Sequence, residues 1–215
     1  MKFTTEQLNS ALDEDPFKPY RLVDLLMREY PNTYDQGVDV WEKYTLRQHT
    51  IMVMNQFEKY FAHNPLPAEI QTRYFRLFLA VHDLGKPRAI AKGGKHLQHQ
   101  YTRKMIENLF AKLEIDQLHT SIALALASGD PLGKYIRGKL TVAEAKNIIS
   151  NNAKTTTLSY SDYLAILIIF FKVDAGSYTE DAGGLRSLDN KFIFDPQNRK
   201  LDFAEDVEEK VNLLH

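Results

Sequence analysis

The stretch Phe78-Leu79-Ala80-Val81-His82-Asp83-Leu84-Gly85-Lys86-Pro87 decides how this chain is read. An apolar run leads into an adjacent imidazole and carboxylate, and Gly85 and Pro87 then break the pattern, so the polar pair falls where a buried helix ends. Polar groups there need partners if they serve packing alone. They are well placed to hold a metal ion. Adjacent polar residues before a glycine also occur at ordinary helix ends, so the meaning of the pair depends on what the rest of the chain brings to it.

Upstream, Asn64-Pro65-Leu66-Pro67 separates two helical patterns. Ile70, Tyr74, Leu77, Phe78 and Val81 predict a helix over about Ala68 to Leu84 that delivers His82 and Asp83. Trp41, Tyr44, Met52, Val53, Phe57, Tyr60 and Phe61 predict a long helix over about Val40 to Ala62. His49 shares a face with Met52, Val53 and Gln56 and therefore points inward, either as a core histidine bonded to a carbonyl or as a ligand. Two shorter helices, Thr5 to Leu12 and Tyr20 to Tyr30, precede these and read as packing elements.

Downstream, Lys86 to Lys95 reads as a basic, glycine-containing loop. A helix follows from near His99 through Leu113, then an almost wholly apolar one from Gln117 to Ala127 that stops at Ser128-Gly129-Asp130-Pro131. Leu132 to Leu140 is again basic and glycine-punctuated, with Lys134, Arg137 and Lys139. Thr141 caps the next helix, and Ser159 with Asp162 caps one that runs to Ala175. Asp174 extends the apolar stripe of that last helix. It is expected to face inward, as a ligand, or as a group capped or paired with a lysine. Phe192 to Phe203 reads as a small hairpin, followed by a short helix. The expectation is one mostly helical domain, with a core over about 40–176, N-terminal helices over 1–39 and an extension over 177–215 packed on it.

Bulk composition narrows the partners. With 27 basic against 28 acidic residues the net charge is −1, so no overall field draws the protein to nucleic acid or an anionic membrane. Recognition of an anion must come from a local cluster, such as Lys86 to Lys95 or Lys134 to Lys139, which suits a small phosphorylated ligand better than a long duplex. There are no cysteines, so any metal must sit on His, Asp or Glu, and a cytoplasmic setting is expected. The polar N-terminus does not read as a secretory signal, and the longest apolar run, Leu164 to Phe171, is too short to cross a bilayer.

Three helices thus each present an unusual inward polar group: His49, then His82 with Asp83, then Asp174. Together these residue types make a site of two nitrogens and two oxygens. In this order, inside an all-α chain of this size, the sequence resembles the HD-domain metal-dependent phosphohydrolases over roughly Tyr44 to Ala175. Its most specific part is the match of His82-Asp83-Leu84-Gly85-Lys86 to the His-Asp-x-Gly-Lys form of that superfamily.

The resemblance implies an HD-type helical bundle carrying the small C-terminal hairpin as an addition. It implies His49, His82, Asp83 and Asp174 as ligands of one divalent ion, Mn²⁺, Fe²⁺, Co²⁺, Ni²⁺, Zn²⁺ or Mg²⁺. It further implies a phosphohydrolase that uses a metal-activated water on a phosphate mono- or diester, nucleotide-derived by family tendency. Asp83 is then the general base and Lys86 a group on the phosphate. Lys134 and Arg137 are candidate substrate contacts from the second basic segment. Members with two metals add two further histidines. His99 fits the first position, with His96 as a weaker choice, but Asp130 stands where the second is expected and His119 lies at the other end of that helix. This favours one metal, with His99 as an acid for the leaving oxygen. The rival reading is a non-catalytic scaffold of the same kind that binds a phosphorylated effector or a protein partner, with the extension from Gly176 to Phe203 as its contact surface.

Overall fold

Seven apolar side chains from Phe75 to Leu84 are buried, and this one helix end organises the first part of the molecule. The structure is a computed structural model that describes residues 1–37, 44–67, 70–179 and 190–215. The helices are α1 (Thr5–Leu12), α2 (Pro19–Glu29), α3 (Leu46–Tyr60), α4 (Thr72–Val81), α5 (Lys86–Lys92), α6 (Gln98–Lys112), α7 (Gln117–Leu126), α8 (Pro131–Ile136), α9 (Val142–Lys154), α10 (Tyr160–Gly176) and α11 (Glu205–Asn212). Two strands, β1 (Phe192–Asp195) and β2 (Lys200–Phe203), make an antiparallel hairpin with Phe192 opposite Phe203 and Asp195 opposite Lys200. The fold is mainly helical with a small hairpin, as the sequence predicts. Among the described residues no helix is long and apolar enough to cross a membrane.

The chain divides into two compact units: Met1–Asn55 with Gln71–Ser128, and Gln56–Ile70 with Gly129–His215. In the first, α4 packs against α1, α2, α6 and α7, and α5 folds back on α6. Leu77, Leu79 and Val81 of α4 are fully enclosed beneath the helices packed on it. Tyr34, itself enclosed, donates its hydroxyl proton to the carbonyl of Ala80 at 2.8 Å. This fixes the segment before α3 to the last turn of α4. The same segment meets the start of α3, where Leu46 N–H donates to Gln36 O and Arg47 N–H to Tyr34 O.

In the second unit, α10 packs against α8, α9 and β2, and α11 against α8 and β2. Phe171 of α10 meets Phe192 and Phe203 of the hairpin at ring separations of 6.3 and 6.0 Å, an apolar seam of the kind that stabilises a two-stranded sheet too small to stand alone. Lys172 lies over the Phe203 ring and pairs with Asp202.

Two sequence expectations are corrected. Lys86 to Lys95 is not a loop: α5 occupies Lys86–Lys92. Pro87 sits in the first turn of α5, where the missing N–H costs nothing, so a residue read as a breaker begins a helix. Leu132 to Leu140 likewise contains α8, which starts with Pro131 behind Asp130 as its cap. The predicted starts at Val40 and Trp41, and at Ala68, lie outside the described residues. So does most of the polar stretch after Thr179.

Candidate metal centre

Helix α4 ends at Val81, and a tight turn carries the chain from His82 to Gly85 before α5 begins, with Lys86 N–H donating to Asp83 O at 2.9 Å. The His82 ring is oriented by its own helix end. Its Nδ1 lies 2.7 Å from the carbonyl of Leu79, an acceptor, so Nδ1 carries the proton and Nε2 presents a lone pair. From α3 comes His49, enclosed completely, with Nε2 3.4 Å from Nε2 of His82. Asp83 Oδ2 stands 3.7 Å from the former and 4.0 Å from the latter.

These three atoms satisfy the spacing of a coordination sphere. A circle through points separated by 3.4, 3.7 and 4.0 Å has a radius of about 2.15 Å, against roughly 2.0–2.2 Å for bonds from imidazole nitrogen and carboxylate oxygen to a first-row ion. His49, His82 and Asp83 are therefore a buried group that could hold a metal ion. Two nitrogens and one oxygen suit Mn²⁺, Fe²⁺, Co²⁺, Ni²⁺ or Zn²⁺ more than Ca²⁺.

The carboxylate of Asp83 is held at both oxygens. Oδ2, the atom that faces the imidazoles, also accepts from Nζ of Lys86 at 3.3 Å, and Lys86 is buried. Oδ1 accepts from Nε2 of Gln98 at 3.2 Å. A carboxylate bonded to both an ammonium and an amide is fixed in direction, the arrangement that a metal-ligating carboxylate needs from its surroundings.

Close packing brings Gln98 there. The α carbon of Gly85 lies against the backbone of α6, where an added methyl would collide with the amide nitrogen of Thr102 and the carbonyl carbon of Tyr101. Gly85 N–H donates to Thr102 Oγ1 at 3.0 Å. The glycine that reads as a helix stop is required because α6 passes over it.

Compared with protein-family models, curated proteins and solved structures, the chain matches none.

The other residues singled out from the sequence are placed as follows. Asp174 is half-buried near the end of α10, in the second unit, and His49, His82 and Asp83 belong to the first. His99 is half-buried on α6 and lines an open groove with Tyr101, Arg103, Lys104, Leu124 and Ser128. His96 is exposed. His119 is buried and engaged at both nitrogens: Nδ1 meets the Asp116 carboxylate at 2.7 Å, and Nε2 accepts from Gln71 N–H at 3.3 Å. It serves the start of α7.

Asp130 caps α8 by accepting from Gly133 N–H and pairs with Arg137 at 2.6 Å. Lys134 is exposed on the same helix. Gln98 and Thr102 are the residues that sequence reasoning missed. Neither is a ligand type nor charged, and the one available signal is that they begin the helix that returns to Gly85.

Proposed function

We propose that this protein is a metal-dependent phosphohydrolase that acts on a phosphate mono- or diester, with one divalent cation at His49, His82 and Asp83 and a small, nucleotide-derived substrate. The observation that carries the reading is the trio itself: two imidazole nitrogens and a carboxylate oxygen, buried, spaced for one ion, with a buried lysine ammonium on the same oxygen. The resemblance of His82-Asp83-Leu84-Gly85-Lys86 to the HD phosphohydrolase form supports the choice of chemistry.

When bound, the cation would lower the pKa of a water and neutralise charge on the phosphate. His49 and His82 would hold it through Nε2, and the bond from His82 Nδ1 to the Leu79 carbonyl fixes the orientation of that ring. Asp83 serves as ligand and as the acceptor for the proton of the attacking water. Lys86 supplies a fixed positive charge beside Asp83 that favours a phosphate oxygen there. The sequence resemblance adds Asp174 as a fourth ligand and His99 as the acid for the leaving oxygen. Local charge adds Lys134 and Arg137 as substrate contacts.

Metal analysis of the purified protein, paired with hydrolysis of p-nitrophenyl phosphate and bis(p-nitrophenyl) phosphate, tests this. Bound divalent metal and turnover are expected, with both lost in Asp83→Ala while the circular dichroism spectrum is kept. Metal-loaded protein inert towards these esters and towards a nucleotide panel overturns it. The burial of all three ligand side chains is the observation that favours the second reading, a scaffold that holds a phosphorylated effector without turnover. Binding that survives chelation and yields no product would select that reading.

A further inference from the structure

The amide of Gln98 has one end in use and one end unused. Asp83 Oδ1 can only accept, so the amide must turn its NH₂ towards the carboxylate, at 3.2 Å. That fixes the opposite end as the carbonyl. This Oε1 is buried, and among the described residues no donor reaches it. A buried carbonyl oxygen without a hydrogen bond is costly, about 1–3 kcal/mol, and is uncommon enough in folded proteins to call for an explanation.

We infer that Gln98 is a further catalytic residue, whose Oε1 accepts a hydrogen bond from the attacking water beside Asp83. The inference rests on the phosphohydrolase reading and names a group that reading does not use. A water aligned for attack directs a lone pair at phosphorus, so both of its protons must find acceptors. Lys86 beside Asp83 offers only donors. Two acceptors lie on this pair of residues: the Asp83 carboxylate and, at the other end of the amide bonded to its Oδ1, Gln98 Oε1.

In the step itself the water oxygen forms the new P–O bond, and the ester P–O bond breaks with its electron pair on the departing phenolate or alkoxide. One water proton passes to Asp83. The other stays on the new phosphate hydroxyl, hydrogen-bonded to Gln98, which takes no proton. The leaving oxygen takes a proton from His99, the acid of the proposed function, which regains one from solvent.

The test compares wild type with Gln98→Met, which keeps length and removes both amide ends, and with Gln98→Glu, which keeps an acceptor and removes the donor. Three quantities are read: Mn²⁺ affinity by calorimetry, water proton relaxation of the Mn²⁺-loaded protein, and kcat and KM on bis(p-nitrophenyl) phosphate. Expected for Gln98→Met are Mn²⁺ affinity within about threefold of wild type, faster exchange of water at the cation, and kcat lowered about 10²-fold with KM unchanged, the scale for losing one aligned hydrogen bond in a transition state. Gln98→Glu should recover part of the slow water exchange. Wild-type exchange and kcat in Gln98→Met overturn the inference while the phosphohydrolase reading stands. A loss of Mn²⁺ affinity as large as that of Asp83→Ala also overturns it, because Gln98 then serves only to hold the ligand. If wild type hydrolyses no ester yet the relaxation changes as expected, the phosphohydrolase reading fails and the water contact of Gln98 remains.

Discussion

His49 Nε2 and His82 Nε2 face each other across 3.4 Å inside the first unit, one from the body of α3 and the other from the end of α4. With Nδ1 of His82 committed to the Leu79 carbonyl, that approach is either one weak hydrogen bond or two lone pairs waiting for a cation. The two cases separate thermally. A ligand that binds only the folded state adds about 2.7 kcal/mol at 100 times its Kd, which for a chain of this size raises Tm by several degrees, at roughly 2–4 °C per kcal/mol. Scanning calorimetry of metal-free wild type with and without Mn²⁺ should show that rise. His49→Ala and His82→Ala should each abolish it.

Lys86 and a cation at the trio share one oxygen, Asp83 Oδ2. Removing the ammonium leaves the carboxylate buried without its ion pair, a change that costs about 3–5 kcal/mol in comparable buried pairs. Lys86→Met should therefore lower the stability of the metal-free protein strongly. A bound cation supplies the missing positive charge, so the Mn²⁺-induced rise in Tm should be larger in Lys86→Met than in wild type. A smaller rise would mean that the lysine helps to bind the cation and does not compete with it. Turnover should fall even in the metal-saturated variant.

The approach of Gly85 to α6 leaves no room for a side chain, and the atoms that block it are backbone. Gly85→Ala must push α6 away from the turn that carries Asp83, with overpacking costs of about 1–3 kcal/mol or more. The displacement also breaks the bond from Gly85 N–H to Thr102. Urea denaturation should report the loss of stability. Metal affinity should fall with it, since Gln98 rides on the same helix. Thr102→Val, which removes the hydroxyl and keeps the volume, should cost about 1 kcal/mol or more and leave metal affinity largely intact.

Much of this was legible in the sequence. The periodicity of Leu77, Phe78 and Val81 located α4, and Thr141 with Glu144 located the start of α9 through a capping box that is present. His49, His82 and Asp83 were found because inward polar groups on apolar helices need a reason to be there. What escaped was contact across elements. Nothing local marks Gln98 as the partner of Asp83 or Gly85 as a packing glycine, because both depend on α6 returning over the turn. The helices α5 and α8 escaped because Pro87 and Pro131 read as breakers, although a proline in the first helical turn is compatible with starting one. Asp130 and Arg137 looked like separate candidates for a site, and they bind each other.

Asp116 ties acid stability to the start of α7. Its partial burial raises its pKa, but hydrogen bonds from the His119 backbone N–H and from the His119 ring outweigh that, and the net shift is downward from the ordinary carboxylate value. A carboxyl held lower in the folded than in the unfolded state contributes stability that is complete above its unfolded pKa, near 4, and is lost as pH falls through the lower folded value. Asp116→Asn keeps a weaker cap and removes the titration. The stability difference between wild type and Asp116→Asn should be larger above the ordinary carboxylate pKa, near 4, than below it, and shrink as pH falls through the lower folded value, measured by urea denaturation across the acid range. The carboxylate is half exposed, so the difference should also shrink in 1 M salt. A difference that does not change with pH would show that Asp116 acts on α7 only as a hydrogen-bonding cap, independent of its charge.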